Sequence, residues 1–495
     1  MSQIAITTGR PVGTIDRKLF GGFVEHLGHC VYGGLYDEVS PLADERGFRK
    51  DVLGLLRDLR LGVLRWPGGN FVSNYHWQDG IGQKDARPRR PELAWGGEEP
   101  NRFGTDEFLA YCAELRTEPY FCLNMGTGTL ADALAWVEYC NSARNTYWAS
   151  RRRENGRDEP YRVSYWALGN EMYGEWQVGQ LSAEEYVREA TRWARAIRML
   201  DPDAKLIGCG ETGWTEWDRV VIDGLAGLVD YHSVHLYTGS DDYWTNVLQP
   251  HQAQRAISSA GALLDRAAYL RGLASPPAIA YDEWNVWYRT MTVDLAERYT
   301  HADALAVATY LNIFVRNCAR VRMANLAQMV NAIAPIVATP EGAVVQPIYY
   351  PFLLHARAAL DVAVDTHTEG GLLPPEASRW QPDASRWPHR IADLGPFTLV
   401  DAAASVSADR SRVAVTLVNR SLDAEPARLV LRDAAFDGAA AITTLTAGGP
   451  DDPRPLPDVQ AAHLATGSEP ARGPVLALTL PPQSFSVIEA PTTAS

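Results

Sequence analysis

Eight short apolar stretches, each followed by a segment with helical spacing, constrain the fold of this chain more than any other sequence feature. A parallel strand that is buried on both faces has such a continuous apolar run, and the next helix covers the sheet. The stretches are GGFVEHLG (21–28), GVLRWPGG (62–69), PYFCLNMG (119–126), VSYWALGNE (163–171), KLIGCG (205–210), DYHSVHLY (230–237), AIAYDEWN (278–285) and VRMANLAQMV (321–330). Eight strands that alternate with helices predict an α/β fold, the (β/α)8 or TIM barrel.

The intervening segments have the apolar spacing of amphipathic helices. In DERGFRKDVLGLLRDLR (44–60) the apolar residues recur every three or four positions. A later segment opens with Ser182 and Glu185, which have the pattern of a capping box. An open doubly wound sheet also alternates strands with helices, but it usually carries a glycine-rich phosphate turn after its first strand. Here the Gly-Gly pair at 21–22 comes before the apolar part of the strand, so the barrel is favoured.

The sequence changes character after about His355. Short alternating strands follow, such as SRVAVTLVNRS (411–421) and VLALTLPPQSFSVIEA (475–490), with clusters of Asp, Gly and Pro between them. This pattern predicts a C-terminal antiparallel β-sandwich that is jelly-roll-like. The predicted parts are an N-terminal strand at 1–16 that joins the β-sandwich, the catalytic (β/α)8 barrel at 17–358, and the sandwich at 359–495 with a long loop at 366–395.

Composition and charge exclude several classes of protein. The 495 residues include 46 Lys and Arg and 60 Asp and Glu, for a formal net charge of −14, so no nucleic-acid partner is expected. No apolar run reaches the roughly 18 residues that span a bilayer, and the N-terminus lacks the pattern of a signal peptide. The six cysteines form no CxxC motif and most lie in apolar segments. We therefore expect a cytoplasmic protein with reduced cysteines and no membrane partner.

Polar side chains cluster where seven of the eight predicted strands end. Catalytic groups of (β/α)8 barrels lie at these C-terminal strand ends. The candidates, in strand order, are Glu25 and His26, Arg65 and Asn70, Asn124, Asn170 and Glu171, His235 and Tyr237, Asp282, Glu283 and Asn285, and Asn325 and Gln328. Amide, hydroxyl and carboxylate groups hydrogen-bond the hydroxyls of a sugar in both directions, whereas a phosphate site would collect Lys and Arg.

Two carboxylates stand out, because Glu171 and Glu283 lie on strands 4 and 7, which face each other across the barrel mouth. Hydrolysis of a glycosidic bond needs such a pair: one group protonates the leaving oxygen, and the other attacks the anomeric carbon or activates water. A single Glu at a strand end more often caps a loop or pairs with Arg, but two, flanked by Asn and Trp, favour a glycosidase. Aromatic rings that could stack on a sugar or fill the core are Trp66, Trp77, Trp95, Trp284 and Trp287.

A zinc site is the competing prediction for the histidines. Glu25, His26 and His29 form one possible ligand group, and His232 and His235 form another. Residues three apart on a strand point to opposite faces, so only one of the last two can face the barrel centre. We therefore predict a site with no metal and no other cofactor.

Six longer motifs resemble those of a known family. They are GGFVEHLG, LRWPGGNFVSNYHWQDGIG, WALGNEMYGEWQVG, HSVHLYTG, AYDEWNVWYR and NLAQMVNAIAPI. In this order and spacing they resemble the α-L-arabinofuranosidases of glycoside hydrolase family 51, through the barrel from about residue 20 to about residue 350. The resemblance implies a retaining, metal-independent double displacement carried out by a homo-oligomer, a hexamer.

By position in the motifs, the resemblance gives each site residue a role. Glu171, in GNE, corresponds to the general acid/base, and Glu283, in DEWN, corresponds to the nucleophile. His235 matches a residue that bonds a catalytic carboxylate, and Trp95 matches an aromatic residue that shapes the aglycone side. The residues that match those holding the arabinose hydroxyls are Glu25, Asn70, Asn170, Tyr237 and Gln328.

The expected function is exo-acting release of terminal arabinofuranose from arabinose-containing oligosaccharides. One departure concerns TMTVDLAERY (290–299), which is shorter than the loop that carries an apolar residue to the aglycone site in many members. Two alternatives stay open at this point. A β-xylosidase or endoglucanase of the same barrel superfamily shares the GNE motif and the strand-7 Glu, and a sugar-binding barrel without catalytic activity is the alternative from another class.

Overall fold

A computed structural model describes residues 1–289, 295–373, 391–447 and 464–494. Its strands, in chain order, are β1 (Ser2–Thr14), β2 (Gly21–Phe23), β3 (Val63–Trp66), β4 (Arg90–Pro91), β5 (Glu98–Glu99), β6 (Glu118–Cys122), β7 (Tyr165–Leu168), β8 (Lys205–Gly208), β9 (Tyr231–Thr238), β10 (Ala278–Val286), β11 (Val321–Ala327), β12 (Ile336–Thr339), β13 (Gly342–Val345), β14 (Val362–Glu369), β15 (Val400–Val406), β16 (Arg412–Asn419), β17 (Glu425–Leu431), β18 (Ala434–Leu445), β19 (Leu464–Gly473), β20 (Val475–Leu480) and β21 (Ser484–Ala494).

The α-helices in the described part of the chain lie mainly between the barrel strands. They are α1 (Lys50–Leu59), α2 (Thr105–Leu115), α3 (Leu130–Asn141), α4 (Tyr147–Glu154), α5 (Ala183–Leu200), α6 (Glu216–Leu225), α7 (Tyr243–Leu248), α8 (Gln252–Arg271), α9 (His301–Arg316) and α10 (Tyr349–Ala358). None of these described helices is long and apolar enough to cross a membrane. Parts of the predicted loop at 366–395 and of the segment at 290–299 lie outside the described residues.

Eight parallel strands close into a barrel in the order β10, β11, β2, β3, β6, β7, β8, β9. Each overlaps one of the eight predicted stretches, so the predicted (β/α)8 barrel is confirmed. The predicted capping box is also present, because Ser182 accepts a hydrogen bond from the backbone of Glu185 and the Glu185 carboxylate reaches back to Ser182 at the start of α5.

The barrel strands are buried on both faces, which explains their continuous apolar sequences. All residues of β3 and of β7 are buried. Tyr120, Ile207 and Met323 belong to a cluster that fills the inside of the barrel. Trp66 and Trp284 are fully buried in the larger cluster between strands and helices, so they fill the core rather than bind sugar.

The C-terminal region forms a nine-stranded sheet with its own apolar core. Its order is β19, β18, β21, β16, β15, β14, β1, β17, β20. The first strand of the chain, β1, pairs antiparallel with β14 and parallel with β17. The parallel pair departs from the predicted all-antiparallel arrangement, because alternation within a strand does not specify which neighbour it pairs with. Strand β14 extends to Glu369, so the loop predicted from residue 366 begins later.

A buried polar interface joins the barrel to the sheet. Asn312 of α9 donates a hydrogen bond to Asp401 of β15 over 2.8 Å, and Arg316 lies 3.0 Å from the same carboxylate oxygen. Thr416 of β16 donates to the side-chain oxygen of Asn312 over 2.6 Å. Because buried polar groups are costly without partners, these bonds fix the sheet in one position against the barrel.

Candidate active site

A bulge in β10 turns two consecutive carboxylates into the barrel. The register against β9 shifts between Ala280 and Glu283, where β10 carries one residue more than its neighbour. Tyr281 and Trp284 pack outward against aromatic residues of α9. Adjacent residues of a regular strand point to opposite faces, but the extra residue lets Asp282 and Glu283 both point inward.

Glu283 is held by two hydrogen-bond donors. Nη1 of Arg65 lies 2.6 Å from its Oε1, and Tyr237 donates its hydroxyl hydrogen to Oε2 over 2.9 Å. Arg65 is itself buried, with its guanidinium 4.4 Å from the centre of the Phe23 ring. Its Nη2 donates to Oδ1 of Asn170 over 2.6 Å. Arg65 thus fixes the strand-7 carboxylate and the strand-4 amide relative to each other.

Glu171 follows β7 in a left-handed backbone conformation with φ of 42°. This conformation is uncommon for residues other than Gly and is concentrated at functional sites. Its Oε1 lies 2.9 Å from Nδ1 of His235, and its Oε2 accepts a hydrogen bond from Nε1 of Trp176 over 3.0 Å. Burial alone would raise the pKa of the Glu171 carboxyl, but the hydrogen bond and positive charge of His235 outweigh burial and lower it.

His235 lies among three carboxylates. Its Nδ1 is 2.9 Å from Glu171 and 3.5 Å from Glu283, and its Nε2 is 3.3 Å from Oδ1 of Asp282. Burial alone would lower the pKa of His235, but the negative charges and hydrogen bonds of these three groups raise it to about 10. The three carboxylates therefore favour the protonated form of the ring.

The two candidate catalytic carboxylates are close to each other. An oxygen of Glu171, a ring nitrogen of His235 and an oxygen of Glu283 lie within 4.8 Å of one another. These donor types also suit zinc. The contacts of His235 with Glu171 and Glu283 are also those of an ordinary network of charges and hydrogen bonds. Hydrogen bonding and charge account for this cluster, and two carboxylates at this spacing can act on one glycosidic bond.

Glu25, which follows β2, forms a second part of the site. Its Oε1 accepts hydrogen bonds from the backbone N–H of Phe71 over 3.0 Å and from Nε1 of Trp95 over 2.9 Å. Its Oε2 accepts from Nε2 of Gln328 over 3.2 Å. Burial raises the pKa of the Glu25 carboxyl to about 8. Gly69 lies against this carboxyl with a φ of 55°, where a Cβ atom would collide with it.

Two amides line the site between these carboxylates. Nδ2 of Asn170 lies 3.5 Å from Oδ1 of Asn70. Asn170 is buried and is oriented by Arg65, whereas Asn70 is half-buried at the start of the short 3-10 turn Phe71–Asn74. Amides donate and accept, so this pair can bond neighbouring hydroxyls of a sugar ring.

The structure brings together the nine residues that the sequence singled out, through contacts that run partly through Arg65 and the backbone of Phe71. They are Glu25, Asn70, Trp95, Asn170, Glu171, His235, Tyr237, Glu283 and Gln328. Three further residues touch the carboxylates and received no role from the sequence. Arg65 and Asp282 were candidates by their strand-end positions alone, and Trp176 lies in a loop where no periodicity marks it.

Other polar candidates lie elsewhere. His26 accepts a hydrogen bond from Trp66 and contacts Glu99, and His232 faces Asp218 of α6 at 2.9 Å. The alternation of strand β9 thus turns His232 outward and His235 inward, as the spacing predicts. His29 is exposed. The strand-end amides that donate to backbone carbonyls and so hold the chain in place are Asn124, Asn285 and Asn325.

Comparison with known proteins identifies the family of this chain. Residues 55–255 match the family described as alpha-L-arabinofuranosidase 1 domain, and residues 282–454 match the alpha-L-arabinofuranosidase C-terminal domain. The GH51 α-L-arabinofuranosidase of Thermotoga petrophila is 38% identical with a TM-score of 0.87, covering 99% of this chain and 100% of that one. A probable alpha-L-arabinofuranosidase C of Aspergillus clavatus is 44% identical over 456 residues, which is 88% of this chain and 87% of that protein.

The chain belongs to the family 51 α-L-arabinofuranosidases. It is therefore a glycoside hydrolase that acts on arabinofuranosides, and this assignment replaces both alternatives left open by the sequence. A further family relative, the intracellular exo-alpha-(1->5)-L-arabinofuranosidase 1 of Bacillus subtilis, is 36% identical over 441 residues, covering 85% of each chain. In this arabinofuranosidase the carboxylates, amides and aromatic residues described above form the candidate active site.

Proposed function

We propose that this arabinofuranosidase hydrolyses its substrate by retaining double displacement, with Glu283 as nucleophile and Glu171 as general acid/base. The observation that carries the proposal is the spacing of the two groups, whose nearest oxygens lie within 4.8 Å. Retaining glycosidases hold their carboxyl groups about 5–5.5 Å apart, whereas inverting enzymes leave about 6.5–9.5 Å for a water molecule.

In the first step, an oxygen of Glu283 attacks the anomeric carbon while the bond to the leaving oxygen breaks. Arg65 and Tyr237 keep the attacking carboxylate in position through their hydrogen bonds. Glu171 gives a proton to the leaving oxygen, which departs as an alcohol. In the second step, Glu171 takes a proton from water, the water oxygen attacks the anomeric carbon, and the ester bond to Glu283 breaks.

The change of Glu171 from acid to base follows from the charges around it. Before reaction, the Glu171–His235 pair holds a proton beside the negative charge of Glu283. When Glu283 becomes a neutral ester, one negative neighbour disappears and the affinity of the pair for that proton falls. Having given its proton to the leaving oxygen, the pair then takes one from water, which restores its starting state.

We propose that Glu25, Asn70, Asn170, Tyr237 and Gln328 hold the hydroxyls of one terminal arabinofuranose, with Trp95 on the aglycone side. Glu25, Asn170, Glu283 and Gln328 are each at most 5% exposed, which suits a compact pocket for a chain end rather than an open cleft. The name of the Bacillus subtilis relative also describes an exo-acting enzyme. Arabinose-containing oligosaccharides are the proposed substrates.

We further propose a cytoplasmic homo-hexamer in which the barrel at 17–358 carries catalysis. The strand at 1–16 and the C-terminal region at 359–495 form the sheet that packs against α9 and α10 of the barrel. Support for the location comes from the intracellular relative and from the six cysteines, which are all buried and unpaired. The hexamer rests on the family resemblance, and light scattering of the purified protein tests it.

The dependence of rate on the leaving group tests the two roles. A Glu171→Ala variant should still form the glycosyl-enzyme from dinitrophenyl α-L-arabinofuranoside, because that leaving group hardly needs a proton. On arabino-oligosaccharides it should lose roughly 10²–10⁴-fold in kcat/KM, the range typical of lost general acid catalysis. A Glu171→Ala variant equally impaired on both substrates would refute the acid/base role. If the wild type cleaved β-D-xylosides in preference to α-L-arabinofuranosides, the proposed arabinofuranose substrate would be wrong.

A further inference from the structure

Asp282 is a buried carboxylate that the double displacement does not use. It is 1% exposed, and the bulge in β10 turns it inward beside Glu283. Its Oδ1 accepts a hydrogen bond from Ser233 over 2.6 Å, and its Oδ2 accepts one from the hydroxyl of Tyr120 over 2.7 Å. A buried carboxylate is costly unless it is paired, so its retention beside the nucleophile calls for an explanation.

The position of Asp282 relative to His235 supplies that explanation. Nε2 of His235 lies 3.3 Å from Oδ1 of Asp282, while Nδ1 on the other side of the ring lies 2.9 Å from Glu171. A neutral imidazole has one N–H and one lone pair, so, while Glu171 and Asp282 are both ionised, one of these contacts would set a lone pair against an anion. Only an imidazolium donates to both carboxylates.

We propose that Asp282 is a positioning residue that keeps His235 as an imidazolium and so supplies the Glu171–His235 pair with the proton for the leaving group. The inference rests on the proposed role of Glu171 as acid/base. The proton on Nδ1 passes to Glu171 as Glu171 protonates the leaving oxygen, and the imidazole keeps its Nε2–H on Asp282. The proton that water loses in the second step restores the imidazolium.

The charged groups around His235 are consistent with this role. On β10 it faces Asp282 and Glu283, and after β7 it faces Glu171. Its backbone N–H donates to the carbonyl oxygen of Glu211, which follows β8. The cation on β3, Arg65, contacts Glu283 at 2.6 Å and lies 3.7 Å from Asp282.

The carboxylates of Glu283 and Asp282 have different main cationic partners. Arg65 is bound to the nucleophile, which leaves Asp282 as the anion that contacts Nε2 of His235. The pKa of Asp282 lies far below its usual range, because Arg65 and His235 outweigh its burial, so it stays ionised. Burial raises the pKa of Glu25, which follows β2, to about 8, so at neutral pH it adds no full negative charge.

Asp282→Asn tests the proposal, because Asn keeps the shape and can accept from Ser233 but carries no charge. Tyr120→Phe is the matched control, because it removes a donor to the same carboxylate and leaves the charge. The protonation of His235 is read from nitrogen NMR of protein labelled with ¹⁵N-histidine, assigned by the signal that is missing in His235→Gln. The second readout is the alkaline limb of kcat/KM for phenyl α-L-arabinofuranoside, whose leaving group needs a proton.

In the wild type we expect His235 to remain doubly protonated at pH 8. In Asp282→Asn both the titration of His235 and the alkaline limb should move at least about one pH unit lower, and in Tyr120→Phe neither should move. A neutral His235 in the wild type at pH 8 would overturn the proposal even if the variant failed to fold. An unmoved titration in Asp282→Asn would overturn it too, and would leave the roles of Glu171 and Glu283 intact. If the titration of His235 moves in Asp282→Asn but the alkaline limb of kcat/KM does not, the result would instead refute Glu171 as acid/base.

Discussion

Arg65 and Glu283 form a buried ion pair inside the barrel, with Nη1 2.6 Å from Oε1 and both side chains almost without solvent exposure. The pair joins β3 to β10 across the barrel, and the other arm of Arg65 reaches Asn170 after β7. One guanidinium therefore sets the relative positions of Glu283, the proposed nucleophile, and of Asn170, which precedes the proposed acid/base. A planar fork with several donors suits this task better than the single point charge of Lys.

Arg65→Met should be strongly destabilising as well as inactive, because it leaves the carboxylate of Glu283 buried without its cation. Loss of one partner of a buried pair costs roughly 3–5 kcal/mol of unfolding free energy. The control is Arg192→Met, which breaks a surface pair with Glu189 and should cost at most about 1 kcal/mol. Denaturant unfolding measures both changes. Equal, small losses in the two variants would show that the buried pair contributes little.

Glu25→Ala and Asn70→Ala should each lower kcat/KM on arabinofuranosides, not only affinity. Both side chains are proposed to bond sugar hydroxyls, and hydroxyl contacts that tighten in the transition state accelerate the reaction itself. A hydrogen bond lost at about 1–3 kcal/mol corresponds to roughly 5- to 150-fold. Steady-state kinetics on 4-nitrophenyl α-L-arabinofuranoside measures the effect. Wild-type kcat/KM in either variant would show that its side chain does not bind substrate.

Glu25→Gln should make unfolding less dependent on pH. Burial raises the pKa of Glu25 to about 8. The contribution of Glu25 to the free energy of unfolding is therefore largest below its pKa in the unfolded chain, near 4.5, and is lost as pH rises through 8. The neutral amide does not titrate. Melting temperatures at pH 6 and pH 9 should therefore differ less in Glu25→Gln than in the wild type, and an equal difference would argue against a protonated Glu25.

His251 should make the barrel–sheet contact sensitive to acid. Its Nε2 accepts a hydrogen bond from Nη1 of Arg420 over 2.7 Å, which requires the neutral ring. Burial and the charge of Arg420 lower the pKa of His251 to about 3. The unfolded chain binds a proton below pH 6.5 that the folded chain excludes, so stability falls as pH drops from 6.5 toward 3. His251→Gln keeps a hydrogen-bond acceptor but does not titrate, so its melting temperature should depend less on pH between pH 4 and pH 7. An unchanged dependence of melting temperature on pH would assign the acid sensitivity to other groups.

Treatment with EDTA should leave activity unchanged, because the proposed double displacement needs only the carboxylates Glu171 and Glu283, and the contacts of His235 with Glu171 and Asp282 are hydrogen bonds between charged groups. The measurement is kcat/KM before and after dialysis against the chelator. Loss of activity that zinc restores would contradict this charge assignment.

The barrel and its carboxylates followed from the sequence because both depend on local patterns. Buried strands have continuous apolar runs, and the polar residue after each run lies at the barrel mouth, which is how Glu171 and His235 were found. The inward turn of Asp282 was not predictable, because it depends on a register shift between β10 and its neighbours. The pairing of β1 with β17 joins residues more than 400 positions apart, and no periodicity encodes such a partner.

The configuration of the product formed with azide tests the central claim most directly, since azide needs no deprotonation and can replace the lost group. In Glu171→Ala, azide should attack the accumulated glycosyl-enzyme and give an arabinosyl azide of retained configuration. In Glu283→Ala it should attack the substrate from the vacant nucleophile side and give the inverted azide. Proton NMR of the two products, each made from an activated aryl α-L-arabinofuranoside, distinguishes them. Retained azide from Glu171→Ala and inverted azide from Glu283→Ala is the predicted result, and the opposite pattern would show that the two carboxylates have exchanged roles.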